Sequence, residues 1–151
     1  VYDAAARALV GAWKERGLRR VAPLAAELVA ETLPAPAARV VTFVPPDRDR
    51  TLSRGHHPAE RLAFELAGHW RLELGALLRR TGSSLRQRGL PLAERRRNVR
   101  GAFHPATTVP PRVILVDDVY TTGATASAAA SALRRGGARR VEVITLARAV
   151  R

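Results

Sequence analysis

Residues 113 to 125 read VILVDDVYTTGAT, and this stretch decides the fold. The apolar run Val113 to Val116 predicts a strand buried on both faces, because parallel sheets covered by helices use near-continuous runs of branched apolar residues. Asp117 and Asp118 are then expected where the strand emerges from the sheet. That carboxyl edge is where open parallel sheets bind ligands. The stretch therefore predicts an α/β domain with a ligand site at Asp117 and Asp118.

The residues around the end of this strand predict the chemistry of the ligand. Two adjacent carboxylates accept hydrogen bonds from a vicinal diol and can hold a hydrated magnesium ion through water. Thr121, Thr122, Gly123, Ala124 and Thr125 then offer hydroxyl donors, a flexible turn and the unpaired N–H groups of a helix start, which together form an anion cradle. Diol acceptors beside a phosphate cradle describe a site for ribose 5-phosphate.

The competing interpretation is structural. Asp117 or Asp118 alone would be a turn cap, and Thr125 alone a helix cap, because these residue types commonly have those roles. The complete string favours the functional interpretation, since it fixes an acid pair, threonines, a glycine and the flanking strand together. No Gly-Lys-Ser/Thr motif and no G-x-G-x-x-G after a strand occur, so ATP hydrolysis and dinucleotide binding are not indicated.

The flanking sequence predicts a mostly parallel sheet covered by helices. Apolar spacing indicates helices at residues 2–17 and Val21 to Thr32, and a β-branched run indicates a strand from Arg39 to Val44. Pro58 begins another helical stretch. The alanine-rich helix Ala124 to Arg135 and the strand VEVITLA then complete a β-α-β unit.

Two polar stretches interrupt this pattern. Residues 45–57 predict an irregular, arginine-rich loop, and residues 79–101 contain few large apolar side chains, so we expect a mobile segment there. Residues 104–112 read as a proline-containing connection. No composition shift divides the chain, so residues 1–151 are expected to form a single domain, with N-terminal helices within residues 1–36.

Composition limits the function classes. The 151 residues contain no cysteine, which excludes disulfides, thiolate zinc sites and a cysteine nucleophile among them. No apolar stretch approaches the roughly 18 residues of a membrane span, so we expect a soluble, cytoplasmic protein. The net charge of +13 comes almost wholly from arginine, because Lys14 is the only lysine among 26 basic residues. Anionic partners are expected, although a GC-rich genome would also enrich arginine.

VILVDDVYTTGAT resembles the phosphoribosyl pyrophosphate signature of type I phosphoribosyltransferases, whose fold is Rossmann-like. The rest of the chain resembles one branch of them, the ComF family. The further family-like pieces are AWKERGLRRVAPL, Pro45 with Arg50 and Arg54-Gly55, LRRT at 78–81, Gln87, Arg95, Asn98 through Phe103, and TLAR at 145–148. The family's frequent N-terminal cysteine-rich zinc module has no counterpart within these residues.

This resemblance implies roles for individual residues. Asp117 and Asp118 would face the ribose hydroxyls, and Thr121 to Thr125 would hold the 5-phosphate. Arg50 and Arg54 would meet pyrophosphate, while residues 79–103 would form a flexible hood. Magnesium would arrive with the ligand rather than occupy a dedicated protein site. One departure is that His56, His57 and Pro58 follow Arg54-Gly55, where the family commonly has an aromatic, Asn and Gln.

The resemblance implies transfer of a phosphoribosyl group from phosphoribosyl pyrophosphate to a nitrogen acceptor. Two alternatives stay open. Because the family is associated with DNA uptake, a non-catalytic competence protein could bind single-stranded DNA or a helicase-like partner, and a regulator could bind a nucleotide without transferring it. His56 and His57 could carry protons, but paired loop histidines are more often solvated surface residues. The sequence identifies neither the acceptor nor the oligomeric state.

Overall fold

The computed structural model describes residues 21–46, 57–81 and 101–148. Their elements are, in chain order, α1 (Val21–Thr32), β1 (Val40–Phe43), α2 (Pro58–Trp70), β2 (Glu73–Leu74), β3 (Leu78–Arg80), β4 (Phe103–Pro105), β5 (Arg112–Tyr120), α3 (Ala124–Arg135) and β6 (Arg140–Arg148). The predicted α/β fold with a parallel central sheet flanked by helices is confirmed. The helix predicted for residues 2–17 lies outside the described ranges.

Four parallel strands form the central sheet in the order β2-β1-β5-β6. From β1 the chain passes through α2 to β2 on one side, whereas from β5 it passes through α3 to β6 on the other. The direction of winding therefore reverses between β1 and β5. The crevice beyond the carboxyl ends of two such strands is the usual ligand site of an open α/β sheet.

Both faces of the sheet are covered, which accounts for the apolar run in β5. Val113 and Leu115 pack in the cluster that contains α3, whereas Ile114 and Val116 pack in the cluster that contains α1 and α2. Side chains alternate between the two faces of a strand. Each residue of the run therefore contributes to one of two cores, and no position is left for a polar side chain.

The helix boundaries follow from local signals in the sequence. Helix α1 stops two residues before Pro34, as predicted, and Pro58 occupies the first turn of α2. Helix α2 ends at Arg71, which has a φ of 54°, and the N–H of Leu72 donates to the carbonyl of Ala67 at 2.8 Å. Helix α3 buries mainly alanines against the sheet. Small side chains allow its backbone to approach β5 and β6 closely.

The segment at residues 79–103, expected to form a flexible hood, has paired strands at its two ends. Residues Leu78–Arg80 and Phe103–Pro105 pair as antiparallel strands, and Phe103 is fully buried. The N–H of Arg135 Nη2 donates to the Phe103 carbonyl at 3.1 Å, which connects β4 to α3. Burial of the phenyl ring stabilises this contact. Residues 82–100 lie outside the described ranges.

In the described ranges, no helix is long and apolar enough to cross a bilayer. The longest, α2, has 13 residues, whereas a membrane span needs about 20.

Candidate functional site

Strand β5 is longer than predicted. Its partner β1 stops at Phe43, which lies beside Val116, but β5 remains paired with β6 as far as Tyr120. The predicted strand end at Val116 was too early: Asp117 and Asp118 belong to β5 and have a neighbouring strand on one side only. The cause is the difference in length between β1 and β6. The aspartates still lie at the switch point, which is the place between β1 and β5 where the direction of winding reverses, just past the end of β1.

The first aspartate satisfies a backbone group that β1 leaves unpaired. Val44 donates its N–H to the Val116 carbonyl at 2.9 Å, so the main-chain polar groups of Val116 face β1. Along a strand, the main-chain polar groups of successive residues point alternately to the two neighbouring strands. The N–H of Asp118, two residues after Val116, therefore also points to the β1 side, but β1 has already ended there. It donates instead to Oδ1 of Asp117 at 2.9 Å. Asp117 is buried, with 9 % of its surface exposed.

The second aspartate makes the same kind of contact one residue later. Val119 donates its N–H to Oδ1 of Asp118 at 2.7 Å. By strand alternation, Asp117 continues the face that packs on α3 and Asp118 the face that packs on α1 and α2. A ligand that contacts both carboxylates must therefore lie across the open edge of β5, where β1 has ended.

A tight turn joins this strand to α3. Gly123 is the N-cap of α3 with a φ of 70°, a left-handed backbone conformation that residues other than glycine rarely adopt. A Cβ on Gly123 would overlap the phenol ring of Tyr120. Tyr120 thus folds back over the turn and fills the space beside the glycine. Glycine is required here both for its φ and for its small size.

The start of α3 has the properties of an anion site. Gly123 accepts the first helical bond from Ser127 N–H at 2.8 Å, and the N–H of Ala124 reaches Oγ1 of Thr122 only at 3.4 Å, a weak contact. The competing interpretation of Thr125 as the helix cap does not hold, since the N-cap is Gly123, which has no side chain to cap the helix. Thr121 and Thr122 are exposed. The first N–H groups of a helix attract anions through the helix dipole.

Two further residues that the sequence alone did not assign to the site lie near the ends of β1 and β5. Thr145 of β6 is in register with Asp117, and it could have been found from the register of the parallel strands. His57 is 12 % exposed and its Nδ1 lies 3.3 Å from Glu60 Oε2. Its ring contacts Phe43 edge-on with centroids 5.4 Å apart. His57 is therefore packed against the end of β1, not a solvated loop residue.

Arg50 and Arg54, the predicted pyrophosphate ligands, lie outside the described residues, as does His56. Within the described ranges, no three metal-binding side chains cluster together. Mg²⁺ is commonly held by one or two carboxylates with waters and substrate phosphates. Asp117 and Asp118 therefore fit a magnesium ion that is bound jointly with a diphosphate ligand, and they do not form a closed metal cage.

Comparison with known proteins identifies two relatives from bacterial competence. The chain is 32 % identical over 142 residues to Competence protein F from Haemophilus influenzae, covering 91 % of this chain and 62 % of that protein. It is 31 % identical over 105 residues to Competence protein ComFC from Streptococcus pneumoniae, covering 70 % of this chain and 46 % of that protein. The chain thus spans about half to two thirds of the length of these relatives.

No family model matches the chain. Among solved structures, the crystal structure of TT1426 from Thermus thermophilus aligns with a TM-score of 0.46 and 24 % identity, covering 90 % of this chain and 84 % of that one. The two competence relatives, whose similarity extends over most of this chain, support the resemblance to the ComF family that its motifs indicate.

Proposed function

We propose that this chain binds phosphoribosyl pyrophosphate, or a related ribose 5-phosphate ligand, together with magnesium and transfers the phosphoribosyl group to a nitrogen acceptor. One observation carries the proposal. Asp117 and Asp118 lie on the open edge of β5 at the switch point, and a Thr-Thr-Gly turn leads directly from that strand into α3.

Each part of the ligand has a matching group in this arrangement. The 5-phosphate suits the turn at Thr121 to Gly123 and the first N–H groups of α3, where donors and the helix dipole favour negative charge. The ribose hydroxyls suit Asp117 and Asp118, since ionised carboxylates only accept hydrogen bonds. A carboxylate pair beside an anion cradle is poorly suited to a bare phosphate, which would be repelled by the acids, and is well suited to a sugar phosphate.

The proposed transfer breaks the bond between C1 of the ribose and the pyrophosphate oxygen and forms a bond between C1 and the acceptor nitrogen. The bonding electrons leave with pyrophosphate, and the nitrogen loses its proton. No side-chain nucleophile is needed. Magnesium would supply positive charge to the departing diphosphate, and Arg50 and Arg54 are proposed to do the same. The acid pair would hold the sugar in line with its acceptor.

Pyrophosphate release tests the transfer step. Purified protein is mixed with phosphoribosyl pyrophosphate, magnesium and a panel of nitrogen bases, and free pyrophosphate is measured. We expect release with at least one base, and a loss of about a hundredfold or more in Asp118→Asn. Gly68→Ala, on the exposed side of α2, is the matched control and should retain full release. If the ligand binds but no base causes pyrophosphate release, the transfer proposal fails and a regulator that binds the ligand without transferring it is favoured instead.

The second candidate function is a competence protein that contacts single-stranded DNA or a helicase-like partner. Both named relatives are competence proteins, and the net charge of +13 suits a nucleic acid backbone. Most described aromatic side chains are at least half-buried; Phe64 is the exception at 53 % exposure, and it already lies under Arg61 at 5.1 Å. Binding would therefore rest on phosphate contacts and fall steeply with added salt. Tight binding that salt does not weaken would contradict this candidate.

A further inference from the structure

The opposite end of the sheet carries a row of arginines. Arg112 is in register with Arg140, and Arg39 stands one residue before Val40, which is in register with Val113. Arg112 and Arg140 therefore lie beside each other on the same face of β5 and β6, and Arg39, one residue before β1, lies at their level. Neighbouring strands are about 4.8 Å apart, so the row spans roughly 10 Å.

This row is electrostatically unfavourable on its own. Like charges directly beside each other on neighbouring strands destabilise a sheet. Arg140 is compensated, since its Nε lies 2.8 Å from Glu142 Oε1. Among the described residues, no carboxylate is within ion-pair distance of Arg39 or Arg112. Two adjacent, uncompensated cations are what an anion-binding surface requires.

A groove opens beside the two uncompensated arginines. It has a volume of about 310 Å³ and is lined by Ala37, Ala38, Arg39, Pro110, Pro111 and Arg112. The walls are alanine and proline, and the charged groups are both guanidinium. Pro111 is held by two backbone bonds, because its carbonyl accepts the N–H groups of Arg139 and Arg140 at 2.8 and 2.9 Å. The groove is therefore built on fixed backbone.

We infer that this amino-edge groove binds single-stranded nucleic acid. Guanidinium groups grip backbone phosphates in two-pronged fashion and also stack on exposed bases. The apolar walls suit a base, and a row of roughly 10 Å is longer than one phosphate needs. A duplex would offer the phosphates but would hide the bases from the walls. This inference rests on the second proposed function and names the groove as the surface that contacts the DNA. It does not depend on the ribose-phosphate site.

Anisotropy of a short fluorescein-labelled oligothymidylate tests the groove. The variant Arg39→Ala/Arg112→Ala should bind at least about tenfold more weakly than the unaltered chain at moderate salt. The slope of log affinity against log salt should become less steep by about 1.4, since each phosphate contact on a single strand contributes about 0.7 to its magnitude. The matched control Arg61→Ala/Arg134→Ala removes the same charge from α2 and α3 without touching the groove, and should bind within about twofold of the unaltered chain.

Three results would overturn the inference: equal affinity of the groove variant and the control variant, tighter binding of the matching duplex than of the single strand, or displacement of the oligonucleotide by equimolar thymidine monophosphate. Melting temperatures of both variants check that each is folded. Calorimetric titration of the groove variant with phosphoribosyl pyrophosphate separates this inference from the first proposed function, because loss of DNA binding should leave that titration unchanged.

Discussion

At the scale of single residues, Asp117 has a structural role as well as its proposed functional one. Its Oδ1 accepts the N–H of Asp118 at 2.9 Å at the point where β1 no longer supplies a partner. Asp117→Ala removes that acceptor and leaves a part-buried N–H unsatisfied, for which the cost is about 1–3 kcal/mol when burial is complete. Asp117→Asn keeps an oxygen at the same place. We expect urea unfolding to show a loss of about 1–3 kcal/mol for Asp117→Ala and under about 1 kcal/mol for Asp117→Asn. Equal stability of the two variants would contradict this role.

A second prediction at this scale concerns the substitution of Gly123. Its φ of 70° and the ring of Tyr120 both oppose a side chain. Gly123→Ala should lower the free energy of unfolding by about 1–2 kcal/mol and should also weaken binding of ribose 5-phosphate, because the turn must open. Gly68→Ala is the comparison, since a Cβ there meets no atom within 4 Å. In the interior of α2 it should instead raise stability by about 0.5–1 kcal/mol. Unfolding curves and titrations of both variants test the contrast.

At the scale of elements, the arginine row predicts an unusual stability effect. Arg112 is paired with Arg140 and shares a groove with Arg39, so Arg112→Glu replaces repulsive neighbours with attractive ones. Opposite-charge pairs across strands contribute about 0.2–1 kcal/mol each. We expect the free energy of unfolding to rise by roughly 0.2–1 kcal/mol while affinity for single-stranded DNA falls. A less stable Arg112→Glu protein would contradict repulsion among these neighbouring arginines.

The elements also show which structural features a sequence can reveal. The run Val113 to Val116 predicted a strand buried on both faces, because successive apolar residues pack alternately into the two cores that cover the sheet. Strands β2, β3 and β4 have two or three residues each, too short for any period to be visible. Phe103 was assigned to the flexible hood by the family resemblance, and only the tertiary contact with α3 reveals its burial.

At the scale of the whole molecule, the sequence could indicate the candidate site where consecutive residues form it and not where distant ones contribute. Asp117 to Thr125 are continuous in the chain, so composition and order were enough. Thr145 joins Asp117 only through the register of two strands, and His57 only through its contact with Phe43. The end of β5 was placed too early because the length of a strand depends on its neighbour, which the local sequence does not encode.

The two proposed binding regions lie at opposite ends of β5, which gives a prediction for the molecule as a whole. Asp118 lies six positions after Arg112 in β5, a distance of about 20 Å along a strand, compared with a Debye length of about 8 Å at physiological salt. We expect saturation with oligothymidylate to change the affinity for phosphoribosyl pyrophosphate by less than about twofold, since distant sites are nearly additive. Mutual exclusion in a competition titration would show that both ligands use one site.

Calorimetric titration of phosphoribosyl pyrophosphate, with and without magnesium, tests the ribose-phosphate site at the end of β5. We expect binding that requires magnesium, competition by ribose 5-phosphate, and affinity at least about tenfold weaker in Asp118→Asn, which corresponds to about 1.4 kcal/mol. Gly68→Ala should bind as the unaltered chain does. Absence of heat under both conditions without competition by ribose 5-phosphate, or unchanged binding in Asp118→Asn, would contradict a ribose-phosphate site at the end of β5.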